Sequence, residues 1–236
     1  MIQRWTASVV AAIALISGVF LGSAPATAAP GCADIEVLWA RGTAEPGAPI
    51  GYTGLAFVQA LRGQTPGRSL NARGVSYAAS DDFNNRVKFV ESVNAGVKSA
   101  QNVIKGIAAR CPRSRIVFGG YSQGAVVAGY ALVDKLQIPR KYLAYQRYAP
   151  PPLPASVTSH LAAVVFFGEP SARFIRDLGA PPIIVGGRFR PKLVRFCAPG
   201  DTICNGAPVG APSVQHGLYP FNGMTVAAAA FAVRRL

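Results

Sequence analysis

Apolar runs of strand length alternate with segments of helical periodicity along most of the chain. The runs that predict strands are at residues 35–40, 74–77, 116–119, 162–167 and 193–196. The segments that predict helices are at residues 87–109, 125–136 and 225–235. Because most of these runs are continuously apolar, they are typical of parallel strands that are covered on both faces. The pattern predicts an α/β fold with a mostly parallel five-stranded sheet and helices on both sides.

The start of the chain indicates a targeting segment. Residues 1–4 give a short basic start through Arg4, residues 9–21 are small and apolar, and Ala26-Thr27-Ala28 fits a signal-peptidase site. The apolar run is shorter than the ~20 residues that a bilayer crossing needs, so we expect a secretory signal peptide over 1–28. A retained membrane anchor is the alternative. Residues 29–236 show no repeat or dividing linker, which predicts one domain.

Composition narrows the class of protein. Half of the 236 residues are hydrophobic and 14% are charged, which excludes a disordered polyelectrolyte. The 25 glycines and 19 prolines argue against a coiled coil. Lys and Arg number 24 against 10 Asp and Glu, a net charge of +14. That charge alone would suit a nucleic-acid binder, but an exported chain without a recognisable reader motif argues against one.

The cysteines agree with export. The chain has an even number of them, which is typical of a disulfide framework in an oxidising compartment: Cys32, Cys111, Cys197 and Cys204. Three pairings are possible, and the short separation of Cys197 and Cys204 favours a local bridge. No CxxC or HxxH pair occurs, so a zinc site is not expected.

Gly120-Tyr121-Ser122-Gln123-Gly124 is the strongest chemical signal. It has the G-x-S-x-G pattern and lies between a predicted strand and a predicted helix, which is the context of a nucleophile elbow. The glycines suit a strained turn in which backbone segments approach closely. Ser122 is the candidate nucleophile, and the Gln123 N–H would point at the same reacting centre. A chance match in a glycine-rich chain is the alternative.

A serine nucleophile needs a base, and the chain has only two histidines. In this arrangement an acid and then the histidine follow the serine along the chain. His216 follows every acidic residue and precedes the last predicted helix, so it is the candidate base. His160 stands at the entrance of a predicted strand, where we expect a surface residue.

The orienting acid must lie between the serine and the histidine, which leaves Asp134, Glu169, Asp177 and Asp201. Asp134 falls in the predicted helix after the serine and would point away from the site. Glu169 directly follows the predicted strand 162–167 and is a competitor. Asp201 follows the predicted strand 193–196, between two cysteines whose bridge would hold a carboxylate at the edge of the sheet. We therefore predict Asp201.

Five motifs, in order, together resemble the cutinases and cutinase-like serine esterases. They are Cys32 with Trp39-Ala40-Arg41-Gly42-Thr43-Ala44-Glu45, Gly120-Tyr121-Ser122-Gln123-Gly124, Phe167-Gly168-Glu169-Pro170, the Cys-x₃-Asp-x₂-Cys segment of 197–204, and His216-Gly217-Leu218-Tyr219. The resemblance spans nearly all of the chain after the leader. One departure is at Tyr77-Ala78-Ala79, where the family pattern has a proline after the tyrosine.

The resemblance implies a three-layer α/β-hydrolase-like fold without a large lid. It implies a triad of Ser122, His216 and Asp201, and an oxyanion hole formed by Thr43 and Gln123. It also implies the disulfide pairs Cys32–Cys111 and Cys197–Cys204. No metal or organic cofactor is expected.

The expected function is therefore the hydrolysis of carboxylic esters through an acyl-enzyme, by a secreted or envelope-associated monomer. We expect short- to medium-chain acyl esters, with lipid or cutin-type esters among the substrates. The alternatives are a phospholipase or cell-envelope lipid esterase of the same fold, and a catalytically silent surface-binding module. Tyr219, Phe83 and Phe221 are candidates for lining the cleft, with simple packing as the alternative.

The basic excess is concentrated in two places. Arg188, Arg190, Lys192 and Arg195 precede the Asp201 segment, while Arg140, Lys141 and Arg147 lie in the connection 136–160. An anionic lipid or acidic envelope surface is the partner that this charge favours, with an ordinary solvated face as the alternative.

Overall fold

The computed structural model describes residues 31–138 and 140–236. Within them, the strands are β1 (Ile35–Ala40), β2 (Leu70–Gly74), β3 (Arg115–Tyr121), β4 (Leu161–Phe167) and β5 (Leu193–Phe196). The α-helices are α1 (Tyr52–Gln64), α2 (Arg86–Arg110), α3 (Gln123–Ala131), α4 (Ala172–Asp177) and α5 (Met224–Val233). Short 3₁₀ segments lie at Arg140–Tyr148, Ala155–Val157, Arg190–Lys192 and Val214–Gly217. The expected leader lies outside the described residues.

The strands form one parallel sheet in the order β2-β1-β3-β4-β5. This confirms the predicted five-stranded α/β architecture. Because all the strands run in the same direction, their carboxyl ends lie at the same edge of the sheet. Functional side chains in open α/β sheets gather at that edge.

The sheet is covered on both faces, as the continuous apolar strands predict. On one face, Leu38, Phe118 and Phe166 pack with side chains of α2 and α3. On the other face, Trp39 and Phe167 pack with side chains of α1 and α5. β1, β4 and almost all of β3 are buried, which explains why their sequences carry no polar alternation.

Both disulfides expected from the sequence are present. Cys32 and Cys111 join the segment before β1 to the end of α2, and their Cα atoms are 5.6 Å apart. Cys197 and Cys204 close the loop after β5, with Cα atoms 5.7 Å apart. No helix of the described residues is both long enough and apolar enough to cross a membrane.

One predicted strand is wrong in position. The second strand is Leu70–Gly74 rather than 74–77. It is an edge strand, and its polar side chains Asn71 and Arg73 hydrogen-bond Glu36 on β1. A strand with alternating polar side chains has no apolar run that would predict it.

One predicted helix is too long, and two helices were not predicted. α3 ends at Ala131 instead of 136, because Val133 forms a bridge with Val185 and Asp134 accepts a hydrogen bond from the Gly187 N–H. Asp134 therefore lies beyond the helix in which it was expected. The unpredicted helices are α1, which follows a segment rich in glycine and proline at 46–51, and the six-residue α4.

Candidate active site

Ser122 lies at the strained turn between β3 and α3. Its φ is 53°, a left-handed conformation that side chains other than glycine rarely adopt. Gly120 and Gly124 make the turn sterically possible: a Cβ on Gly124 would lie 1.9 Å from the Ala40 carbonyl oxygen, and one on Gly120 would lie 2.4 Å from the Gly124 backbone. The turn therefore projects the serine from the carboxyl edge of the sheet.

The Ser122 hydroxyl contacts His216. The distance from Ser122 Oγ to His216 Nε2 is 2.9 Å, and His216 lies in the 3₁₀ segment Val214–Gly217. Gly168, at the end of β4, leaves room for the imidazole, since a Cβ there would lie 2.8 Å from His216 Cε1. The hydroxyl of Tyr121 donates to the His216 carbonyl oxygen over 2.7 Å, which fixes the backbone of the base.

Asp201 contacts the other ring nitrogen of His216. Nδ1 lies 3.0 Å from Asp201 Oδ1 and 2.9 Å from Oδ2, and the aspartate is fully buried. Burial raises the pKa of Asp201, but hydrogen bonds from His216, Tyr219 and the Ile203 N–H outweigh burial and leave the pKa below its usual value. The ionised carboxylate can only accept, so Nδ1 donates to it and Nε2 is free to accept from the serine.

The other candidate residues have partners elsewhere. Glu169 pairs with Arg195, and Asp177 lies 3.8 Å from Arg173 on the same helix. Asp134 accepts from the Gly187 N–H. His160 is at the entrance of β4, where its carbonyl accepts from the Ile116 N–H. The structure thus brings together Ser122, His216 and Asp201 and leaves the competing residues apart.

The segment after β1 is held in shape by Glu45. Its carboxylate accepts from the Gly42 N–H over 2.7 Å and from the Thr53 N–H over 2.8 Å. Burial raises the pKa of Glu45 in spite of these bonds. The carboxylate therefore ties the loop of Thr43 to the start of α1.

Two backbone donors near the serine have no hydrogen-bond partner among the described residues. They are the N–H groups of Thr43 and Gln123. Their neighbours are occupied, since Ala44 N–H donates to the Ala79 carbonyl and Ser122 N–H donates to the Phe167 carbonyl. Gln123 is the first residue of α3, where the helix dipole favours negative charge. Both groups are available to bind an oxyanion.

The loop that departs from the family pattern packs against the same region. Tyr77 donates a hydrogen bond to the Arg41 carbonyl, and Arg41 Nη2 donates to the Ala78 carbonyl over 2.7 Å. The Gln123 side-chain amide donates to the Ser80 carbonyl over 3.3 Å. These bonds hold the loop beside the nucleophile without the proline.

Tyr219, Phe83 and Phe221 were the candidates for lining the cleft, and Tyr219 does not line it. It is fully buried, and its hydroxyl donates to Asp201 Oδ2 over 2.6 Å, so it lies behind the site rather than along it. Phe83 and Phe221 are exposed.

Sequence reasoning missed the functions of Glu45, Gly168 and Tyr219. Each lies within one of the motifs that resemble the family, which is a signal that could have found them. Their contacts, however, join segments that are far apart in the chain.

One group of potential metal ligands occurs among the described residues: Cys197, Asp201 and Cys204. The two sulfurs are bonded to each other and cannot act as thiolates, and the carboxylate is already bound by His216 and Tyr219. This donor set does not suit a metal ion.

A parallel sheet with a serine at a strained strand-to-helix turn, next to a histidine and a buried carboxylate, defines an α/β hydrolase. The cutinase family model matches residues 31–236. The chain belongs to the cutinase family.

Individual proteins of known class are also similar to this chain in sequence or in fold. The probable carboxylesterase Culp7 of Mycobacterium tuberculosis is 42% identical over 173 residues, which are 73% of this chain and 88% of that protein. The phospholipase Culp4 of the same organism is 34% identical over 234 residues, 99% of this chain and 92% of its own. The structure of Trichoderma reesei cutinase with a phosphonate inhibitor superposes with a TM-score of 0.62 at 29% identity, covering 86% of this chain and 76% of that one.

Proposed function

We propose that this chain hydrolyses carboxylic esters through an acyl-enzyme on Ser122. The observation that carries the proposal is the continuous set of contacts from Ser122 Oγ through His216 to the buried Asp201 carboxylate. Membership of the cutinase family, with its carboxylesterase and cutinase members, supports ester hydrolysis.

In the acylation step, Ser122 Oγ attacks the ester carbonyl carbon while His216 Nε2 takes the hydroxyl proton. Asp201 holds the imidazole in the required tautomer and stabilises its cation. The carbonyl oxygen becomes an oxyanion, which the N–H groups of Thr43 and Gln123 bind. When the intermediate collapses, the bond to the alcohol breaks and His216 gives its proton to the departing oxygen. The acyl group is then esterified to the serine.

In the deacylation step, water attacks the acyl carbon and His216 takes a proton from it. The bond to Ser122 Oγ breaks, the serine recovers a proton from the imidazolium, and the carboxylic acid leaves.

Losing one oxyanion donor typically costs about 2.7–4 kcal/mol of transition-state stabilisation.

The direct test of this function is hydrolysis of a p-nitrophenyl ester by the wild type and by Ser122→Ala. We expect the variant to lose at least about a thousandfold in kcat, because it lacks the nucleophile. Equal turnover by the two proteins would overturn the proposal.

We propose short- to medium-chain acyl esters as the substrates. Exposed apolar side chains follow two segments that contact the site: Phe83 follows the loop that bonds Gln123, and Leu218 and Phe221 follow His216. Without a large lid, such a rim suits an acyl chain of limited length. A p-nitrophenyl series from two to sixteen carbons tests this, and activity that rises steadily to the longest chain would contradict it.

Phospholipid hydrolysis is the second candidate. It is favoured by the phospholipase Culp4, to which nearly the whole chain aligns at 34% identity. A side-by-side assay on phosphatidylcholine and a short-chain p-nitrophenyl ester separates the two. The first proposal expects faster turnover of the simple ester.

The proposed setting is outside the cytoplasm, with residues 29–236 as a single monomeric domain after cleavage at Ala28. The leader pattern and the two disulfides support export. N-terminal sequencing of the exported protein tests the cleavage site. Light scattering tests the monomer.

We also propose peripheral contact with an anionic lipid or envelope surface. Within the basic cluster of 188–195, Arg195 pairs with Glu169, and Lys192 donates to the carbonyls of Thr158 and Leu161. The side chain of Arg190 is exposed and makes no hydrogen bond or ion pair within the described residues, so its cation is free for such contact. Sedimentation with anionic and neutral vesicles at low and physiological salt tests this, and equal binding to both would contradict it.

A further inference from the structure

The hydroxyl of Tyr219 lies at the centre of the loop that carries Asp201. It donates to Asp201 Oδ2 over 2.6 Å and accepts from the Ala198 N–H over 3.0 Å. Its oxygen is also 3.6 Å from Cys204 Sγ. One oxygen atom therefore contacts the beginning, the middle and the end of the loop 197–204.

The Asp201 carboxylate is fully buried, so its charge depends on the donors around it. Three donors reach it within the described residues: His216 Nδ1, the Ile203 N–H and the Tyr219 hydroxyl. His216 is the group to be oriented, and Ile203 belongs to the same loop as the aspartate. Tyr219 is therefore the donor that anchors the carboxylate from outside its loop.

Tyr219 is enclosed by other side chains and does not reach the cleft. Its ring is fully buried, with its centroid 5.5 Å from that of Phe167 and 5.8 Å from that of Tyr121. Burial and the hydrogen bond to Asp201 raise the pKa of Tyr219 well above its usual value. The hydroxyl therefore keeps its proton and acts as a donor throughout the pH range in which esterases are assayed.

We propose that Tyr219 is a positioning residue of the active site, whose hydroxyl holds the Asp201 carboxylate against His216 Nδ1 and keeps it ionised. This inference rests on the proposed function, because it assigns Tyr219 a part in the reaction of Ser122. The tyrosine touches no substrate and acts through the aspartate alone.

The test is Tyr219→Phe, with Tyr130→Phe as the matched control. Both changes remove one hydroxyl from a partly or fully buried ring, but the Tyr130 hydroxyl donates to the Pro181 carbonyl and not to a residue of the site. We expect Tyr219→Phe to lower kcat on a p-nitrophenyl ester by about 10- to 100-fold with KM changed less than about threefold. Tyr130→Phe should keep both constants.

The pH profile separates positioning from a general loss of stability. A carboxylate that loses one donor keeps more of its negative charge and stabilises the protonated form of the imidazole beside it more strongly. The acid limb of kcat/KM should therefore move to higher pH in Tyr219→Phe and stay in place in Tyr130→Phe. A kcat and an acid limb equal to those of the control would overturn the inference.

A second variant covers the case in which the phenylalanine protein does not fold. Site-specific 3-fluorotyrosine at position 219 keeps the hydroxyl and the shape of the ring but makes a stronger donor. The acid limb should then move to lower pH, and an unmoved limb would overturn the inference.

The two proposals fail in different ways. If the wild type does not hydrolyse the ester, the proposed function fails and the role of Tyr219 fails with it. If the wild type does and Tyr219→Phe matches the control, only the role of Tyr219 fails. A double variant adds a further check: on an Asp201→Asn background, Tyr219→Phe should cost less than about threefold more, because its partner is already gone.

Discussion

Ser122 and Asp201 each occupy a position that would be unfavourable without their neighbours. The positive φ of Ser122 costs of order 1–3 kcal/mol, and the bond from its N–H to the Phe167 carbonyl together with helix α3 holds it there. Asp201 is a buried charge compensated by hydrogen-bond donors on every side. Strain and burial at these two residues therefore accompany the reactivity we propose for them.

Replacing Asp201 with Asn tests the acid. The Asp201 carboxylate can only accept a hydrogen bond from His216 Nδ1. The amide of asparagine can also donate to Nδ1, which favours the other tautomer of the imidazole. We expect kcat to fall by about 10³- to 10⁴-fold with KM little changed, measured on a p-nitrophenyl ester. Asp134→Asn, which lies outside the site, is the control and should keep its activity. An unchanged kcat in Asp201→Asn would point to a different acid.

The lowered pKa of Asp201 predicts how stability depends on pH. A carboxyl whose folded pKa is below its unfolded value stabilises the fold fully above the unfolded value, 3.8, and this contribution is lost as the pH falls through the folded value. The difference in Tm between the wild type and Asp201→Asn should therefore shrink as the pH is lowered below about 4. A difference that stays constant from pH 7 to pH 2 would contradict this.

The sequence was informative about single residues where chemistry and chain order combine. The G-x-S-x-G pattern indicates Ser122, and the order serine, acid, histidine leaves His216 as the base. Tyr219 and Glu45 could not be assigned in this way, because their hydrogen bonds depend on how separate loops meet in the fold.

At the scale of elements, the turn from β3 to α3 is the most constrained feature. β3 and β1 approach so closely there that Gly124 faces the carbonyl of Ala40. The glycines of this turn are thus required by packing as well as by backbone conformation.

Gly124→Ala tests that packing, with Gly63→Ala as the matched control. The new Cβ at 124 would meet backbone at 1.9 Å, so we expect a loss of about 3 kcal/mol or more of stability and no measurable esterase activity. Gly63 lies on the exposed side of α1 with no atom within 4 Å of a Cβ. Alanine there should raise stability by about 0.5–1 kcal/mol. Chemical denaturation measures both, and equal effects would contradict the account.

Elements with an apolar or periodic pattern were predictable, and elements shaped by tertiary contacts were not. β1 and β5 have the predicted bounds, and α2 differs by one residue at each end. β2 was misplaced because an edge strand can carry polar side chains, and α3 was overextended because a bridge to Val185 competes with the helical pattern. Tertiary contacts of this kind leave no periodic signal in a single sequence.

At the scale of the whole molecule, the two disulfides have different effects. Cys32–Cys111 spans 79 residues and ties the start of β1 to the end of α2, at the edge of the sheet opposite the nucleophile. Cys197–Cys204 spans seven residues and encloses Asp201. One bridge constrains the chain at large and the other constrains the site.

Removing each bridge by paired serine substitutions tests this division. Without Cys32–Cys111, unfolding free energy should fall by about 2–5 kcal/mol while kcat at low temperature stays within about threefold. Without Cys197–Cys204, kcat should fall by at least about tenfold, because the loop that holds Asp201 is released. Denaturation and ester kinetics on both variants are the measurements. The reverse pattern, with kcat lost only in the long-range variant, would contradict the account.

The net charge of +14 is a property of the whole chain. Internal contacts engage several of the cations in and before β5, such as Arg195 with Glu169 and Arg188 with the Leu153 carbonyl. The cluster therefore contributes to the packing of β5 as well as to the surface charge, a division that the sequence alone did not indicate.

A fluorophosphonate forms a covalent bond with a serine whose hydroxyl is activated, so labelling tests whether Ser122 is the nucleophile. We expect one phosphonyl adduct per chain, located by mass spectrometry on Ser122. It should be absent in Ser122→Ala and strongly slowed in His216→Ala. An adduct on any other residue, or none on the folded wild type, would contradict it.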